Sequence, residues 1–597
     1  MSKAGSAPVG AAQRRSHLAL SCSVLLVGLA ALLFVVAPGR GAAWIQDDGL
    51  FLRMAWDAAH GYGFDQMLPQ SPSYLFHALM MRLGMHEYLH FRYLNYLVIL
   101  LSAGLFFTGL GRGKEDKAWV PMAILASLLV SLNSIQNPNS LSQACFLTGT
   151  GLYFHAMQVH GRLPYKLLLV GVGFFFGLAG FMHAAVAVAM VLLVVLLLVW
   201  DIKTRRSPLL PVFLVTVTLL WWWYAQEIGL RVLLAQPAGH DASLAQLASR
   251  ILQILWFYGK AVLLFIALSY YHRRRDAQPI ASRDLLDRAF TACALLSALV
   301  FLTDSGMRFP GWLGISQLPG AMVFLLYFAW MQWALARYRH EHASLAPRTS
   351  QLLAWLKNTE MDGETRKLVF AFSGFILVPS ALAVGSNTAI IQGMVFFAGP
   401  AWGLLIYLWA QTQGAALRRS EVLLGALWLL IFAVFALGYN HPNYARPLAS
   451  GKVALQSNPL RGIEETNTYQ SAAGQLLQAY QNNDCAHKEL LLMDYLPMVY
   501  FVLQHPAPVQ IGVIRPQMYF PEKKLLDILE TSEAWCVLDA TGVETQTEID
   551  QLQGQDKRAR MRAFIERNAD LSVPIAAPSK EILGSMQLYV RAARRPL

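Results

Sequence analysis

Residues 167–200 read LLLVGVGFFFGLAGFMHAAVAVAMVLLVVLLLVW and contain no Asp, Glu, Lys or Arg. A helix needs about 20 apolar residues to cross a hydrocarbon core about 30 Å thick. The stretch is long enough for two crossings, and Met182–His183 interrupts its apolar character. We therefore predict two consecutive membrane-spanning helices, Leu167–Phe181 and Ala184–Trp200, which are separated at that point.

The composition of the whole chain agrees with this reading. Hydrophobic residues make up 55% and charged residues 14% of the 597 positions, and the mean hydropathy is +0.40. A soluble globular protein has about 45–50% apolar and about 25% charged residues. High apolar content and only 5 cysteines also exclude a disordered chain and a disulfide-rich scaffold. The sequence therefore predicts a polytopic α-helical membrane protein.

Further apolar runs bring the prediction to about 13 transmembrane helices, since each run approaches the length of a bilayer crossing. The additional spans are expected near Leu18–Val36, Leu94–Leu110, Ala118–Leu132, Leu141–Met157, Leu209–Gly229, Ile251–Tyr270, Phe290–Leu302, Gly314–Ala336, Leu368–Val384, Ala389–Ala410 and Val422–Gly438.

The basic residues predict how these spans are oriented. The chain carries a net charge of +12, and its Lys and Arg residues concentrate in alternate loops, such as 112–117, 273–288 and 337–367. Cytoplasmic loops are enriched in Lys and Arg, so the N-terminus (residues 1–17) is predicted to be cytoplasmic. The charge thus reflects membrane orientation, and no nucleic-acid partner is expected. Because no Asn-x-Ser/Thr acceptor occurs, we expect a bacterial inner membrane, with the opposite side in the periplasm.

Two parts of the chain are predicted to lie in the periplasm outside the transmembrane bundle of residues 18–439. One is a first loop at 38–93, and the other is a domain at 461–597 that follows a linker at 440–460. The linker and the domain together form the C-terminal tail, residues 440–597. Strand-type and helical patterns alternate in the tail, which predicts a soluble α/β domain. The expected strands are Glu489–Met493, Pro508–Ile514, Ala534–Leu538 and Met586–Val590, and the expected helices are Tyr469–Gln481, Glu522–Leu529 and Glu548–Asn568.

The tail contains two cysteines, Cys485 and Cys536. In an oxidising compartment such as the periplasm they can form a disulfide. The alternative is a pair of free buried thiols. The sequence alone leaves both interpretations open.

The first loop begins with an acidic motif in the sequence WIQDDGLFLRMAWDAAHGYGF, residues 44–64. Asp47 and Asp48 directly follow the first span, and a helical pattern ends at the glycines Gly61 and Gly63. One interpretation is that an aspartate caps this helix, an effect of about 1 kcal/mol. The other is catalytic, because neighbouring like charges raise the pKa of a carboxyl group and make it a better base. The pair can also bind a divalent metal cation, since hard cations prefer carboxylate oxygens.

The first span, the acidic pair, the following helix and the Gly-x-Gly-Phe sequence at 61–64 resemble the GT-C superfamily of integral-membrane glycosyltransferases. The resemblance is to the branch of mycobacterial arabinofuranosyltransferases and, more loosely, to protein O-mannosyltransferases and the lipid A aminoarabinose transferase. It implies a polyprenyl-phosphate-sugar donor and catalysis at an acidic motif in the first extracytoplasmic loop. Only Asp47 and Asp48 match that motif, and Gly49 stands where the branch usually has Ala or Ser.

Sugar transfer from a lipid phosphate also requires positive charge near the leaving phosphate. Arg53, Lys260 and Arg308 are the candidates for binding the donor phosphate. Each has a simpler interpretation. Arg53 can contact lipid headgroups, Lys260 can extend from its span to the interface, and Arg308 can pair with Asp304.

Two further polar positions are candidates at the outer ends of spans. His183 interrupts the apolar run described above, and a structural histidine between two spans is its simpler interpretation. Asn387 lies in Gly385-Ser386-Asn387-Thr388, where it can offer hydrogen bonds to sugar hydroxyls or simply form a turn.

The expected function is transfer of a sugar from a polyprenyl-phosphate donor to a cell-envelope glycan, lipid or protein on the periplasmic face. A transporter or flippase of lipid-linked saccharide is an alternative that explains Lys260 but not the acidic loop. A polymerase or ligase of the O-antigen type is a second alternative, although such enzymes place a large basic loop late in the bundle.

Overall fold

The computed structural model describes a defined part of the chain. The described residues are 46–62, 72–112, 119–129, 138–159, 161–200, 208–228, 248–249, 251–256, 258–259, 363–385, 397–412, 452–454, 459–461, 464–493, 498–506, 522–539, 560–575 and 586–592.

Long apolar helices make up the N-terminal two thirds of this part. Helices α1 to α10 are Gln46–His60, Tyr74–Arg82, Tyr88–Gly111, Trp119–Leu129, Pro138–Ala156, Arg162–Met182, Ala184–Trp200, Leu209–Ile228, Gly363–Gly385 and Ala398–Thr412. Four of them, α3, α6, α8 and α9, are long and apolar enough to cross a membrane. The chain is thus a polytopic helical protein. The predicted spans near Leu18–Val36, Phe290–Leu302, Gly314–Ala336 and Val422–Gly438 lie outside the described residues, so the number of spans stays a prediction.

The break in the apolar run falls where the sequence places it. Helix α6 ends at Met182, and His183 takes extended backbone angles of φ −149° and ψ 115°. Helix α7 begins at the next residue, Ala184. One non-helical residue therefore separates two helices that are otherwise continuous in sequence. In contrast, helix α3 begins at Tyr88, six residues before the predicted span and within the predicted first loop.

Close helix contacts and aromatic rings hold the bundle together. A Cβ on Gly151 of α5 would lie 2.5 Å from the backbone carbon of Leu105 in α3, so only glycine permits this approach. Phe106 of α3 contacts Phe375 of α9, with ring centroids 6.0 Å apart. Lys367 of α9 is buried and donates a hydrogen bond of 2.9 Å to the carbonyl of Gly109 near the end of α3. A cation at this position stabilises the helix end, where carbonyls lack intrahelical partners.

The tail contains a mixed sheet. Its elements are β1 Lys452–Ala454, β2 Glu464–Thr466, α11 Asn467–Asn482, β3 Glu489–Met493, α12 Met498–Leu503, α13 Glu522–Thr531, β4 Trp535–Asp539, α14 at 560–568, β5 Leu571–Ile575 and β6 Met586–Arg591. Strands β1 and β2 pair with each other. The other four form a sheet in the order β3-β4-β6-β5, in which β3 and β4 are parallel and the remaining pairs antiparallel.

This sheet matches most of the strands expected from the sequence. Strands β3, β4 and β6 occur at the predicted positions, and β5 is an additional strand that follows α14. Strand β1 lies within the segment 440–460 that was predicted as a linker. The predicted strand Pro508–Ile514 lies outside the described residues.

The two faces of the sheet pack against different partners. Leu491, Trp535 and Val537 form one small core with Leu529 of α13 and Ile565 of α14. On the other face, Leu490, Cys536 and Leu588 belong to a larger core that includes residues of α1 and α2. Cys485 and Cys536 form a disulfide on this second face, with their Cα atoms 5.9 Å apart. The tail therefore shares a hydrophobic core with the helix that carries the acidic motif.

Candidate functional site

The acidic motif lies in the first turn of helix α1. The helix begins at Gln46, so Asp47 and Asp48 occupy its second and third positions. Acidic residues are favourable there because the N-terminus of a helix carries partial positive charge. The side chains of both aspartates lie outside the described residues. Their catalytic or metal-binding role stays a prediction.

Helix α1 ends at the glycine where the sequence predicts its C-terminus. Gly61 adopts a left-handed conformation with φ 81°. The Tyr62 amide then donates to the carbonyl of Asp57 at 2.9 Å. This is the Schellman arrangement, which glycine favours because it has no Cβ.

Most of α1 is buried. Leu52 and Ala55 have no exposed surface, and Met54 and Ala58 are each 2% exposed. Arg82 of α2 also donates a hydrogen bond of 2.9 Å to the Ala58 carbonyl. The helix is therefore embedded in protein rather than lying free on a membrane surface.

Arg53 is buried in this environment with a partner on its own helix. Its Nε lies 3.5 Å from Oδ2 of Asp57, and the side chains are 2% and 6% exposed. Its guanidinium carbon also lies 5.3 Å from the ring centroid of Tyr500 in α12. A role for Arg53 in binding the donor phosphate stays a prediction.

Helix α12 of the tail approaches the backbone of α1 at Gly49. A Cβ built on Gly49 would lie 2.4 Å from the backbone nitrogen of Met498 and 2.7 Å from its Cα. No side chain fits between the two helices at this point. This explains why a glycine follows the acidic pair.

Helix α2 packs beside α1 and connects it to the bundle. The hydroxyl groups of Tyr74 in α2 and Tyr224 in α8 are hydrogen bonded at 3.0 Å. His77 of α2 is fully buried between Phe76 and Phe91. Burial lowers the pKa of His77 to about 3, so its imidazole is neutral at physiological pH.

The other candidates are not brought together among the described residues. His183 is 6% exposed at the break between α6 and α7. Lys260, Arg308 and Asn387 lie outside the described residues. In the part of the chain that the structure describes, no group of three His, Cys, Asp or Glu residues is arranged to hold a metal ion.

Sequence reasoning missed the tail's contribution to this region. Tyr500 and Met498 lie in an apolar stretch that carries no motif, and Asp57 reads as an ordinary polar position of an amphipathic helix. Nothing in the local pattern marks them as neighbours of the acidic motif. Only the approach of α12 to α1 reveals the connection.

Comparison with solved structures finds likeness over nearly the whole chain. The apo crystal structure of ArnT from Cupriavidus metallidurans covers 96% of this chain and 99% of its own length, with 12% identity and a TM-score of 0.40. The structure of ArnT bound to undecaprenyl phosphate covers 96% and 98%, with 11% identity and a TM-score of 0.36.

At these TM-scores the likeness assigns no role to any residue of this chain. No protein-family model and no curated protein matches the sequence. The functional argument therefore depends on the residues of the chain itself.

Proposed function

We propose that this protein is a membrane glycosyltransferase that moves a sugar from a polyprenyl-phosphate donor to a cell-envelope acceptor at the periplasmic face. The observation that carries the proposal is the position of the acidic pair. Asp47 and Asp48 occupy the first turn of a buried helix, next to the predicted first span, and the tail packs on the same helix.

In the proposed reaction, one of the two aspartates accepts the proton of the acceptor hydroxyl. The acceptor oxygen forms a bond to the anomeric carbon of the sugar as the bond from that carbon to the phosphate oxygen breaks. The electron pair of the broken bond leaves with the polyprenyl phosphate. A positioned general base contributes about 10²- to 10⁴-fold to such a transfer.

The leaving phosphate gains negative charge, which basic side chains stabilise in a site that excludes water. We propose Lys260 and Arg308 for this role. A lysine within a membrane span is rare because insertion costs about 2.5–3.5 kcal/mol, so its retention favours a function. Arg53 is less suited, because Asp57 and Tyr500 already engage its guanidinium group. Asn387 is proposed as an outer-side contact to sugar hydroxyls, and His183 is kept as a further candidate.

The lipid partner in this proposal is of the same chemical class as the undecaprenyl phosphate bound to the second ArnT structure. A divalent cation at Asp47 and Asp48 is a separate part of the proposal, and no step of the transfer above depends on it. The acceptor, a glycan, lipid or protein, is not specified by the described residues.

The test uses purified protein in lipid nanodiscs and a panel of radiolabelled polyprenyl-phosphate sugars. We expect Asp47→Asn or Asp48→Asn to lower transfer by about 10²-fold or more. Asp527→Asn serves as the matched control, because Asp527 is exposed on α13 in the tail. If both variants of the motif keep the wild-type rate at normal expression, the proposed mechanism is wrong. Movement of the lipid-linked sugar across the bilayer without transfer would instead favour a flippase.

A further inference from the structure

The contact between α1 and the tail has no role in the chemistry described above, yet it is unusually close. All six residues of α12, Met498–Leu503, are buried. At Gly49 the two backbones approach so closely that a methyl group would overlap the Met498 backbone. The contact lies within one helical turn of Asp48.

Tyr500 attaches this contact to the sheet of the tail. Its hydroxyl group accepts a hydrogen bond of 3.2 Å from the Leu492 amide and donates one of 3.1 Å to the Leu490 carbonyl. Both partners belong to strand β3. The ring of Tyr500 is therefore held at its far end by the backbone of the sheet, and its position follows that of β3.

The face of the same ring meets the charged pair of α1. The guanidinium carbon of Arg53 lies 5.3 Å from the ring centroid, within the range of a cation–π interaction. Arg53 in turn pairs with Asp57 one turn further along α1. Contacts therefore run from β3 through Tyr500 and Arg53 to the helix of the acidic motif.

A charged pair fixes orientation in a way that apolar packing does not. Leu52, Met54 and Ala55 are apolar, and apolar packing is non-directional and tolerates repacking, so these side chains specify the rotation of α1 only loosely. The Arg53–Asp57 pair is buried, and Arg53 also meets the ring of Tyr500. Rotating or sliding α1 would leave buried charges without that contact, which is costly in a protein interior.

We propose that the tail positions the acidic motif, and that Tyr500 is the positioning residue through which it does so. This inference rests on the proposed function. It assigns the C-terminal domain a part in catalysis, namely to set the rotation and depth of α1 and thereby the placement of Asp47 and Asp48. Tyr500 itself touches no substrate in this arrangement.

The main experiment compares Tyr500→Leu with Tyr500→Phe in the full-length protein. Leucine removes the ring from Arg53, whereas phenylalanine keeps the ring and loses only the hydroxyl group. We expect Tyr500→Leu to lower kcat by about 10- to 100-fold, as expected for a misplacement near 1 Å, with little change in the donor KM. Tyr500→Phe keeps the ring against Arg53 but loses the two hydrogen bonds to β3, so its kcat should fall by less than that of Tyr500→Leu.

A second readout does not depend on activity. We expect hydrogen–deuterium exchange of the α1 amides, residues 46–60, to increase in Tyr500→Leu. Tyr480→Leu is the matched control, since Tyr480 is a buried tyrosine of the same core whose ring packs against His505 instead. It should leave α1 exchange and kcat as in the wild-type protein. The inference is overturned if Tyr500→Leu matches the wild type, or matches Tyr480→Leu, in both readouts.

If Tyr500→Leu does not fold, the double variant Arg53→Met/Asp57→Leu decides the question. Replacing a buried ion pair by apolar residues of similar size is often neutral for stability. We expect a folded protein with lowered kcat and faster exchange of the α1 amides, and an unchanged exchange of these amides would overturn the inference.

The outcomes of the two proposals are distinguishable. Retained activity in both Asp47→Asn and Asp48→Asn refutes the proposed function, while the exchange of α1 still tests the contact. If the aspartate variants are inactive while Tyr500→Leu keeps the wild-type kcat and the wild-type exchange of α1, only the role of Tyr500 is refuted.

Discussion

Replacing Gly49 by alanine tests the closest contact between the acidic helix and the tail. The added Cβ would lie 2.4 Å from the Met498 nitrogen, whereas ordinary contacts begin at 3.4 Å. The difference, 3.4 − 2.4, requires α1 and α12 to separate by about 1 Å. Overpacking of this kind costs about 1–3 kcal/mol. The better helix propensity of alanine offsets about 1 kcal/mol of that cost.

We therefore expect Gly49→Ala to lower the free energy of unfolding by up to about 2 kcal/mol. The sugar-transfer rate should fall further, by about 10²-fold, because the displaced helix carries Asp47 and Asp48. Thermal unfolding in detergent and the transfer assay measure the two effects.

The matched control is Gly474→Ala in α11 of the tail. A Cβ at Gly474 meets no atom within 4 Å, so this change keeps the propensity gain without a clash. It should raise stability by about 0.5–1 kcal/mol. If Gly49→Ala is as stable and as active as Gly474→Ala, the inference that α12 closely approaches α1 at Gly49 is wrong.

Three further predictions concern stability. Replacing both Cys485 and Cys536 by serine removes a disulfide that closes a loop of 51 residues. The free energy of unfolding should fall by about 4 kcal/mol. The thermal midpoint of the variant should therefore fall, and reductant should lower the midpoint of the wild type in the same way. Lys367→Met removes the hydrogen bond to the end of α3 and should cost about 1.5–3 kcal/mol, whereas the exposed Lys166→Met should leave the thermal midpoint unchanged. Burial lowers the pKa of His77 to about 3 in the folded protein. On acidification, the histidine is therefore protonated at a higher pH in the unfolded chain than in the folded protein. Stability should then fall by up to about 1.4 kcal/mol per pH unit between about pH 6.5 and about pH 3. A wild-type thermal midpoint that falls no more steeply on acidification than that of His77→Phe would contradict this last prediction.

Much of the fold follows from local patterns in the sequence. The helix break at His183, the stop of α1 at Gly61 and the strands β3, β4 and β6 all lie where the sequence predicts them. These features depend on hydrophobic periodicity and on the backbone preferences of single residues. The acidic pair was also located by sequence, since its position after the first span needs no tertiary information.

What the sequence by itself determined is the position of several helices and strands, which segments are apolar enough to span a membrane, and where two carboxylates lie in the chain. The tertiary structure decided that the tail packs against the acidic helix. It also decided that Arg53 meets the ring of Tyr500, and that α12 approaches the backbone of α1 at Gly49. The physical reason is that burial and close backbone approach depend on residues more than 400 positions apart in the sequence, such as Gly49 and Met498 or Arg53 and Tyr500. The local hydrophobic pattern of a helix does not specify which distant segment of the chain packs against it.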